Sequence, residues 1–287
     1  MTEIMDSASP ARSCPVAILM AVHRGADPQH FQEALNSLRA QTFADVRLYL
    51  YADGPLDALH EQLISKYLMQ VPGRDMLIRG ERAVGLPTGL NCLIDAALEN
   101  QDIAYLARMD ADDICLPERI AAQVDFMGAN PDLALSGTWC IEFTQPGKAA
   151  FHKQMPTDQA DIPRFMVTRS PLVHPSVIFR RQVFDDGHRY DARLTQMQDY
   201  EFWSRLTLQG YLIGNLPKFL IWYRMAPGFY SRRTGFSRAW TEVGMRLRYA
   251  RRAGLLTPLQ LIRLGMFFLV RISPQTIKRL AYARLRN

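Results

Sequence analysis

Three carboxylates fall within four residues at Asp110-Ala111-Asp112-Asp113, after the apolar run Ile103–Ala107 and ahead of Pro117. A strand that ends in clustered carboxylates, with a helix restarting beyond it, can hold a divalent cation at the carboxyl edge of an α/β sheet. Hard oxygen donors suit Mg²⁺ or Mn²⁺, and either ion grips phosphate oxygens. The competing role is capping the next helix, a common task for Asp. A cap needs one carboxylate and this stretch offers three, so cation binding is the stronger reading.

The elements that must position this cluster are legible in the hydrophobic pattern. Val16–Val22 reads as a buried strand, and Pro28–Gln41 has helical spacing through Phe31, Leu35 and Leu38. Val46–Ala52 is a second strand, closed by the turn Asp53-Gly54-Pro55. A helix over Leu56–Val71, a brief strand at Met76–Ile78 and a helix over Pro87–Leu98 follow, the last with Pro in its first turn. Ile103–Ala107 is then the strand that delivers the Asp cluster. Such alternation predicts a parallel sheet with crossover helices, and ligands in such sheets bind beyond the carboxyl ends of the strands. Asp53 and the Asp110–Asp113 cluster both fall at such ends and are expected to face one crevice. Beyond Pro117 the rhythm changes. A helix runs through Ile120, Val124 and Met127, strand-like runs lie at Leu133–Ser136, Val177–Phe179 and Phe219–Tyr223, and helical stretches lie near Asp161–Val167 and Tyr200–Leu208. This half is expected to form a mixed sheet that receives a second substrate.

At 48% hydrophobic and 22% charged, the 287-residue chain has the make-up of a soluble protein with one large α/β domain or two small ones. Its four cysteines form no CxxC pair, so no zinc or disulfide framework is readable and a reducing cytoplasm is expected. Residues 1–14 lack the basic-then-apolar order of a signal peptide and are expected to be disordered. The net charge of +6 conceals an asymmetry. Residues 228–287 carry thirteen Lys or Arg against one acid, Glu242, for a net +12, and the preceding body is at −6. An acidic body with a basic tail points to a polyanion or an anionic membrane.

In order and spacing, a longer set of motifs resembles the family-2 glycosyltransferases, inverting enzymes of the GT-A fold that use nucleotide-sugar donors. The match covers roughly residues 15–226. It rests on Gln41-Thr42, Asp53-Gly54, Gly85-Leu86 with Leu90-Asn91, Met109 through Asp113, Pro117-Glu118-Arg119 and Gln123. It continues through His174-Pro175-Ser176, Gln198-Asp199-Tyr200-Glu201-Phe202-Trp203, Asn215-Leu216-Pro217 and Tyr223-Arg224. The resemblance implies that Asp112, helped by Asp110, holds Mn²⁺ or Mg²⁺ against the donor diphosphate. It implies that Asp53 reads a uracil ring, that Ala21, Val22 and His23 line the base pocket, and that Asn91, Asp110 and Ala111 touch the donor. Asp199 matches the family's general base, and Asp113, His174 and Arg224 are candidates on the acceptor side. Three positions depart from the family pattern. Ala52 stands where an Asp is common, His23-Arg24 replaces an aromatic-Asn pair, and Ala226 occupies the place of a His thought to complete the metal shell.

In the tail, Phe236, Trp240, Val243, Leu247 and Ala250 repeat at helical spacing, with Arg238, Arg246, Arg248 and Arg252 elsewhere on the helix. A second helix is expected over Leu259–Ile272 and a third from Ser273-Pro274. The apolar run Leu264–Val270 is too short to span a bilayer, which needs about 20 residues. Basic amphipathic helices of this kind lie in the headgroup plane of anionic membranes, and packing on the body is the alternative. No nucleic-acid reader motif accompanies the charge. The sequence therefore predicts an α/β, GT-A chain in three parts: a nucleotide-binding half (15–115), an acceptor half (116–227) and a basic helical tail (228–287). The expected activity is inverting transfer from a UDP-sugar to a lipid-linked saccharide of bacterial surface polysaccharide, at the cytoplasmic face of the inner membrane. A sugar nucleotidyltransferase, or a non-catalytic nucleotide-binding module on a decayed transferase fold, is the alternative.

Overall fold

A computed structural model describes residues 14–225 and 235–273. The expectations for residues 1–13, for Ala226 and for the third tail helix lie outside these residues.

The first half alternates as its hydrophobic pattern requires: β1 (Val16–His23), α1 (Pro28–Arg39), β2 (Val46–Asp53), α2 (Ala58–Gln70), β3 (Met76–Arg79), α3 (Leu86–Leu98) and β4 (Tyr105–Arg108). β2 and β4 flank β1 in parallel, and β3 adds to β2 in parallel. β1 is apolar at nearly every position because both faces of the sheet are covered. Ala17 and Leu19 enter one core with Leu90, Leu93 and Ile94 of α3, whereas Val16, Ile18, Met20 and Val22 enter the other with Phe31 and Leu35 of α1.

The second half holds β5 (Ile114–Cys115), α4 (Arg119–Ala129), β6 (Leu133–Gln145), β7 (Lys148–Lys153), α5 (Ile162–Met166), β8 (Ile178–Arg180), α6 (Gln182–Asp185), α7 (Gln198–Leu208) and β9 (Leu212–Arg224). All the strands join one mixed sheet in the order β3-β2-β1-β4-β8-β6-β9-β5, with β7 on β6. β8 runs antiparallel to β4, so the segment entering β8 arrives at the edge where β4 leaves. β6 and β9 are each longer than their apolar runs predict. Parallel pairing from Leu133↔Leu212 to Phe143↔Arg224 carries their polar ends along and brings Arg224 to the Asp cluster. β5 and β7 escaped sequence reading. Two residues cannot show a period, and the solvent-facing side chains of β7 carry no apolar alternation.

The tail forms α8 (Phe236–Arg252) and α9 (Pro258–Ile272), whose start Thr257 caps by accepting from the Gln260 N–H at 3.2 Å. The inward face of α8 differs from the apolar stripe expected from its spacing. Ala239, Glu242, Arg246, Tyr249 and Ala250 are buried, while Phe236 and Trp240 are each 66% exposed. The reason is a buried ion cluster. Glu242 pairs with Arg246 at 2.9 Å and with Arg271 of α9 at 3.1 Å, and Arg246 stacks 4.6 Å above the Tyr200 ring of α7. Although burial pushes it upward, the charges of Arg246 and Arg271 hold the Glu242 carboxyl below its ordinary range. A mutually paired charge cluster can thus take the inward face from larger apolar side chains.

Candidate active site

The edge that collects the site is made by strand ends. His23 lies in register with Asp53 across β1 and β2, which places the two ends side by side. Asp53 accepts from the backbone N–H groups of Val84 at 2.7 Å and Gly85 at 3.1 Å, shaping the segment before α3. Gly54 has φ +84°, and a Cβ there would stand 2.9 Å from the Ala83 nitrogen, so this turn requires glycine. Val22 is buried in the core, so it offers the crevice only its backbone, while Ala21 is half-buried and His23 exposed. His23 Nδ1 accepts from the Gly25 N–H at 3.0 Å.

The Asp110–Asp113 turn follows β4 directly. Carboxylate oxygens of Asp110, Asp112 and Asp113 lie within 4.8 Å of one another. Burial and the Asp110 charge push the Asp112 carboxyl up to about 6, against the pull of Arg108 and Arg224. Asp113 is fully buried, and burial followed by the charges of Asp110 and Asp112 raises it well above the ordinary range. One Asp113 oxygen accepts from the Arg224 N–H at 2.7 Å and the other is buried without a partner. Crowded acidic oxygens that repel one another and leave an acceptor unfilled fit a hard divalent cation. Asp110 and Asp112 would hold it, with Asp113 behind them and Ala111 between the two.

Buried arginines brace the turn. Arg108, the last residue of β4, is ion-paired with Asp110 and leaves Nε and Nη1 without partners. Arg119 of α4 donates to the Arg108 carbonyl at 2.9 Å and to Gln123 at 2.9 Å, and Gln123 donates to the Ser176 carbonyl at 2.9 Å. Arg224, expected on the acceptor side, is instead buried beneath the cluster. It donates to the Asp112 carbonyl at 2.7 Å, pairs with Glu33 and lies 4.4 Å above the Phe143 ring. Its guanidinium is spent on the fold.

Asp199 occupies the first turn of α7, two residues after Met197, which has φ 60°. Among the described residues Met197 is the sole non-glycine with positive φ, a strained conformation of the kind that gathers at functional sites. Burial raises the Tyr190 phenol above the ordinary range; Arg108 opposes this, and the carboxylates of Asp199 and Asp110 both add to it. The Tyr190 hydroxyl meets His174 Nε2 at 3.0 Å. Burial and then Arg108 hold His174 well below its usual pKa, so it is a neutral imidazole at pH 7. Asn91, expected to touch the donor, donates to the Tyr190 carbonyl at 2.9 Å and accepts from the Tyr190 N–H at 2.9 Å. Both ends of its amide are thereby committed to the Tyr190 loop.

Residues 18–187 match the family model described as Glycosyl transferase family 2. The chain belongs to this family. The glycosyltransferase is 30% identical over 256 residues to the amylovoran biosynthesis glycosyltransferase AmsE of Erwinia amylovora, covering 89% of this chain and 91% of that one. It is 25% identical over 240 residues to the UDP-Gal:alpha-D-GlcNAc-diphosphoundecaprenol beta-1,3-galactosyltransferase of Escherichia coli, covering 82% and 83%. Residues 1–349 of S. aureus TarS, in complex with UDP-GlcNAc, superpose with a TM-score of 0.61 at 15% identity, over 95% of this chain and 88% of that one. The mannosyltransferase PcManGT of Pyrobaculum calidifontis, with GDP-Man and Mn²⁺, gives 0.60 at 12%, over 95% and 79%. At such identities the likeness shows the fold, which is GT-A.

Asp199 and Arg224 of the glycosyltransferase lie beyond the stretch matched by the family model. Arg108 and Tyr190 were missed in the sequence. A charged residue closing the apolar run before the Asp cluster was the available signal for Arg108, whereas nothing near Tyr190 distinguishes it from a core tyrosine.

Proposed function

We propose that this glycosyltransferase is metal-dependent and inverting, and moves a sugar from a UDP-sugar onto a lipid-linked saccharide during synthesis of a bacterial surface polysaccharide. The Asp110–Asp112–Asp113 cluster carries the reading, because its oxygens lie within 4.8 Å of one another just beyond β4, on the sheet edge where β2 ends in Asp53. AmsE by its name serves amylovoran synthesis, and the E. coli relative by its name uses UDP-Gal and a diphosphoundecaprenol-linked sugar. Both names support this choice of donor and acceptor.

In this reading Asp53 meets the uracil ring, and the backbone of Ala21–His23 lines the base. Asp110 and Asp112 hold the cation, which when bound offsets the charge gathering on the departing diphosphate. Asp199 accepts the proton of the acceptor hydroxyl as its oxygen bonds to the anomeric carbon and the carbon–phosphate-oxygen bond breaks. A single in-line displacement inverts that carbon. His174, neutral and hydrogen-bonded to the Tyr190 hydroxyl, is not the base in this reading.

The tail supports action at the cytoplasmic face of the inner membrane as a peripheral protein. Leu259, Ile262, Met266 and Leu269 form a stripe along α9 that is more than half exposed throughout, beside exposed Phe236 and Trp240. No helix among the described residues is long and apolar enough to cross a membrane. An apolar stripe in a segment of net +12 suits an anionic bilayer, where each basic residue near the surface adds about 1 kcal/mol.

UDP release from a panel of UDP-sugars, with Mn²⁺ or EDTA and a GlcNAc-diphosphate-lipid acceptor, tests the reaction, and NMR of the product gives its anomeric configuration. Activity undiminished in EDTA, or a retained configuration, would overturn the mechanism.

A further inference from the structure

A cavity of about 290 Å³ lies between α7 and α8, apart from the Asp cluster. Its walls include the apolar Leu208 and Met245 and the ring of Tyr249, and its rim includes Arg248 and Arg252. We infer that this cavity is a subsite for the diphosphate head of an isoprenyl-linked acceptor, gripped by Arg248 and Arg252 with the Tyr249 hydroxyl.

Three observations carry this. Tyr249 is 2% exposed, and its hydroxyl is buried without a hydrogen-bond partner. A buried tyrosine hydroxyl ordinarily finds one, so a donor here awaits an acceptor. Next, Arg248 and Arg252 stand one turn apart on α8, and no described acid pairs with either. Like charges at this spacing repel each other and gain from a shared anion. Glu201, the acid in the wall, is already committed to Arg205 at 2.9 Å, and the Ser204 hydroxyl to the Tyr200 carbonyl at 2.7 Å. The cavity is therefore lined by two exposed arginines that no described acid pairs, by apolar walls, and by Tyr249, whose hydroxyl is buried without a partner. That combination matches an amphiphile with a phosphate head, because guanidinium binds phosphate in bidentate fashion.

Position selects the amphiphile. The wall runs along α7 from Tyr200, the residue after Asp199, to Gln209, a rise of about 14 Å at 1.5 Å per residue. An acceptor whose sugar meets Asp199 can carry its diphosphate along this helix, with its chain leaving past α8 toward the exposed apolar residues of the tail. The ligand's identity follows from the lipid-linked acceptor proposed above; the site itself does not.

Calorimetric titration of the full chain with farnesyl diphosphate in EDTA tests the site, since without a cation the Asp cluster cannot grip diphosphate. Farnesyl diphosphate should bind more tightly than farnesol. Arg248→Ala combined with Arg252→Ala should weaken it about tenfold or more, and Tyr249→Phe by about threefold, with farnesol binding unchanged. Inorganic pyrophosphate should bind more weakly than farnesyl diphosphate and lose affinity in the same variants. Equal binding of farnesyl diphosphate by wild type and double variant would overturn the inference. So would loss of phosphatidylglycerol vesicle binding with farnesyl diphosphate binding intact, because the arginines would then serve the bilayer. Sensitive farnesyl diphosphate binding in a chain that transfers no sugar to lipid acceptors would uphold the site and defeat the proposed reaction instead.

Discussion

Replacing Asp112 by Asn removes one negative charge from the cluster while keeping the size of the side chain. In the native fold the Asp112 carboxyl is pushed up to about 6 from 3.8, by burial and then by the Asp110 charge. A carboxyl raised in the folded state binds its proton more tightly there than in the unfolded chain. Its contribution is fully present below about pH 4 and is lost as pH rises through about 6. A shift of this size corresponds to about 3 kcal/mol, at 1.36 kcal/mol per unit. Unfolding a chain of 287 residues releases on the order of 0.6 kcal/mol/K of entropy, so 3 kcal/mol moves Tm by about 5 °C. Metal-free Asp112→Asn should therefore melt several degrees higher than wild type at pH 8 and at nearly the same temperature at pH 4. The same substitution should abolish Mn²⁺-dependent UDP binding. Differential scanning fluorimetry in EDTA across pH 4–8 reads the first effect, and calorimetry with UDP and Mn²⁺ reads the second. If the variant melts at or below wild type at pH 8, the cluster is not strained by its own charge and the case for a cation built on that strain fails.

Asp199→Asn should lower turnover by about 10²-fold or more while leaving UDP-sugar affinity intact, and near-normal turnover would assign the proton to another group. Asn91→Ala removes two hydrogen bonds to Tyr190 and should reduce kcat more than it raises the donor KM; the reverse split would restore Asn91 to the donor. Glu242→Ala leaves Arg246 and Arg271 buried and facing each other, which should destabilise the chain by about 3–5 kcal/mol in urea denaturation. The full chain should pellet with anionic vesicles, release in high salt and ignore neutral vesicles, and Trp240→Ser with Phe236→Ser should weaken the binding. Failure to pellet at low salt would remove the membrane from the proposal.

The first half was legible because β1, β2 and β4 are buried on both faces and read as short apolar runs. The run Val16–Val22 came within one residue of β1 for this reason. β6 and β9 were read short because small and polar residues, such as Gly137, Thr138 and Glu142 in β6 and Gly214, Asn215 and Lys218 in β9, interrupt their apolar runs. The acidic residues of the site announced themselves by type and spacing. Their supports did not, since Arg224 serves Asp112 and Asp113 across more than a hundred residues. Tyr190 gains its place only when Asn91, ninety-nine positions earlier, clasps its backbone. On α8 periodicity found the helix and misjudged its face. No apolar count anticipates that Arg246 can be buried when Glu242 lies one turn before it and Tyr200 beneath it.

The reversal of strand direction between β4 and β8 has a bearing on how such a chain diversifies. Because β8 enters where β4 leaves, the Asp110–Asp113 turn and the His174 segment meet at one edge, although different parts of the chain supply them. The two are tied where the Arg108 N–H donates to the Val177 carbonyl at 2.8 Å. Variation in the segments ahead of β8 and α7 can still reshape one side of the crevice, because the Asp110–Asp113 turn has its own bracing from Arg119 and Arg224. A lineage built on this seam can acquire new glycosidic linkages by changing one bank of the crevice at a time.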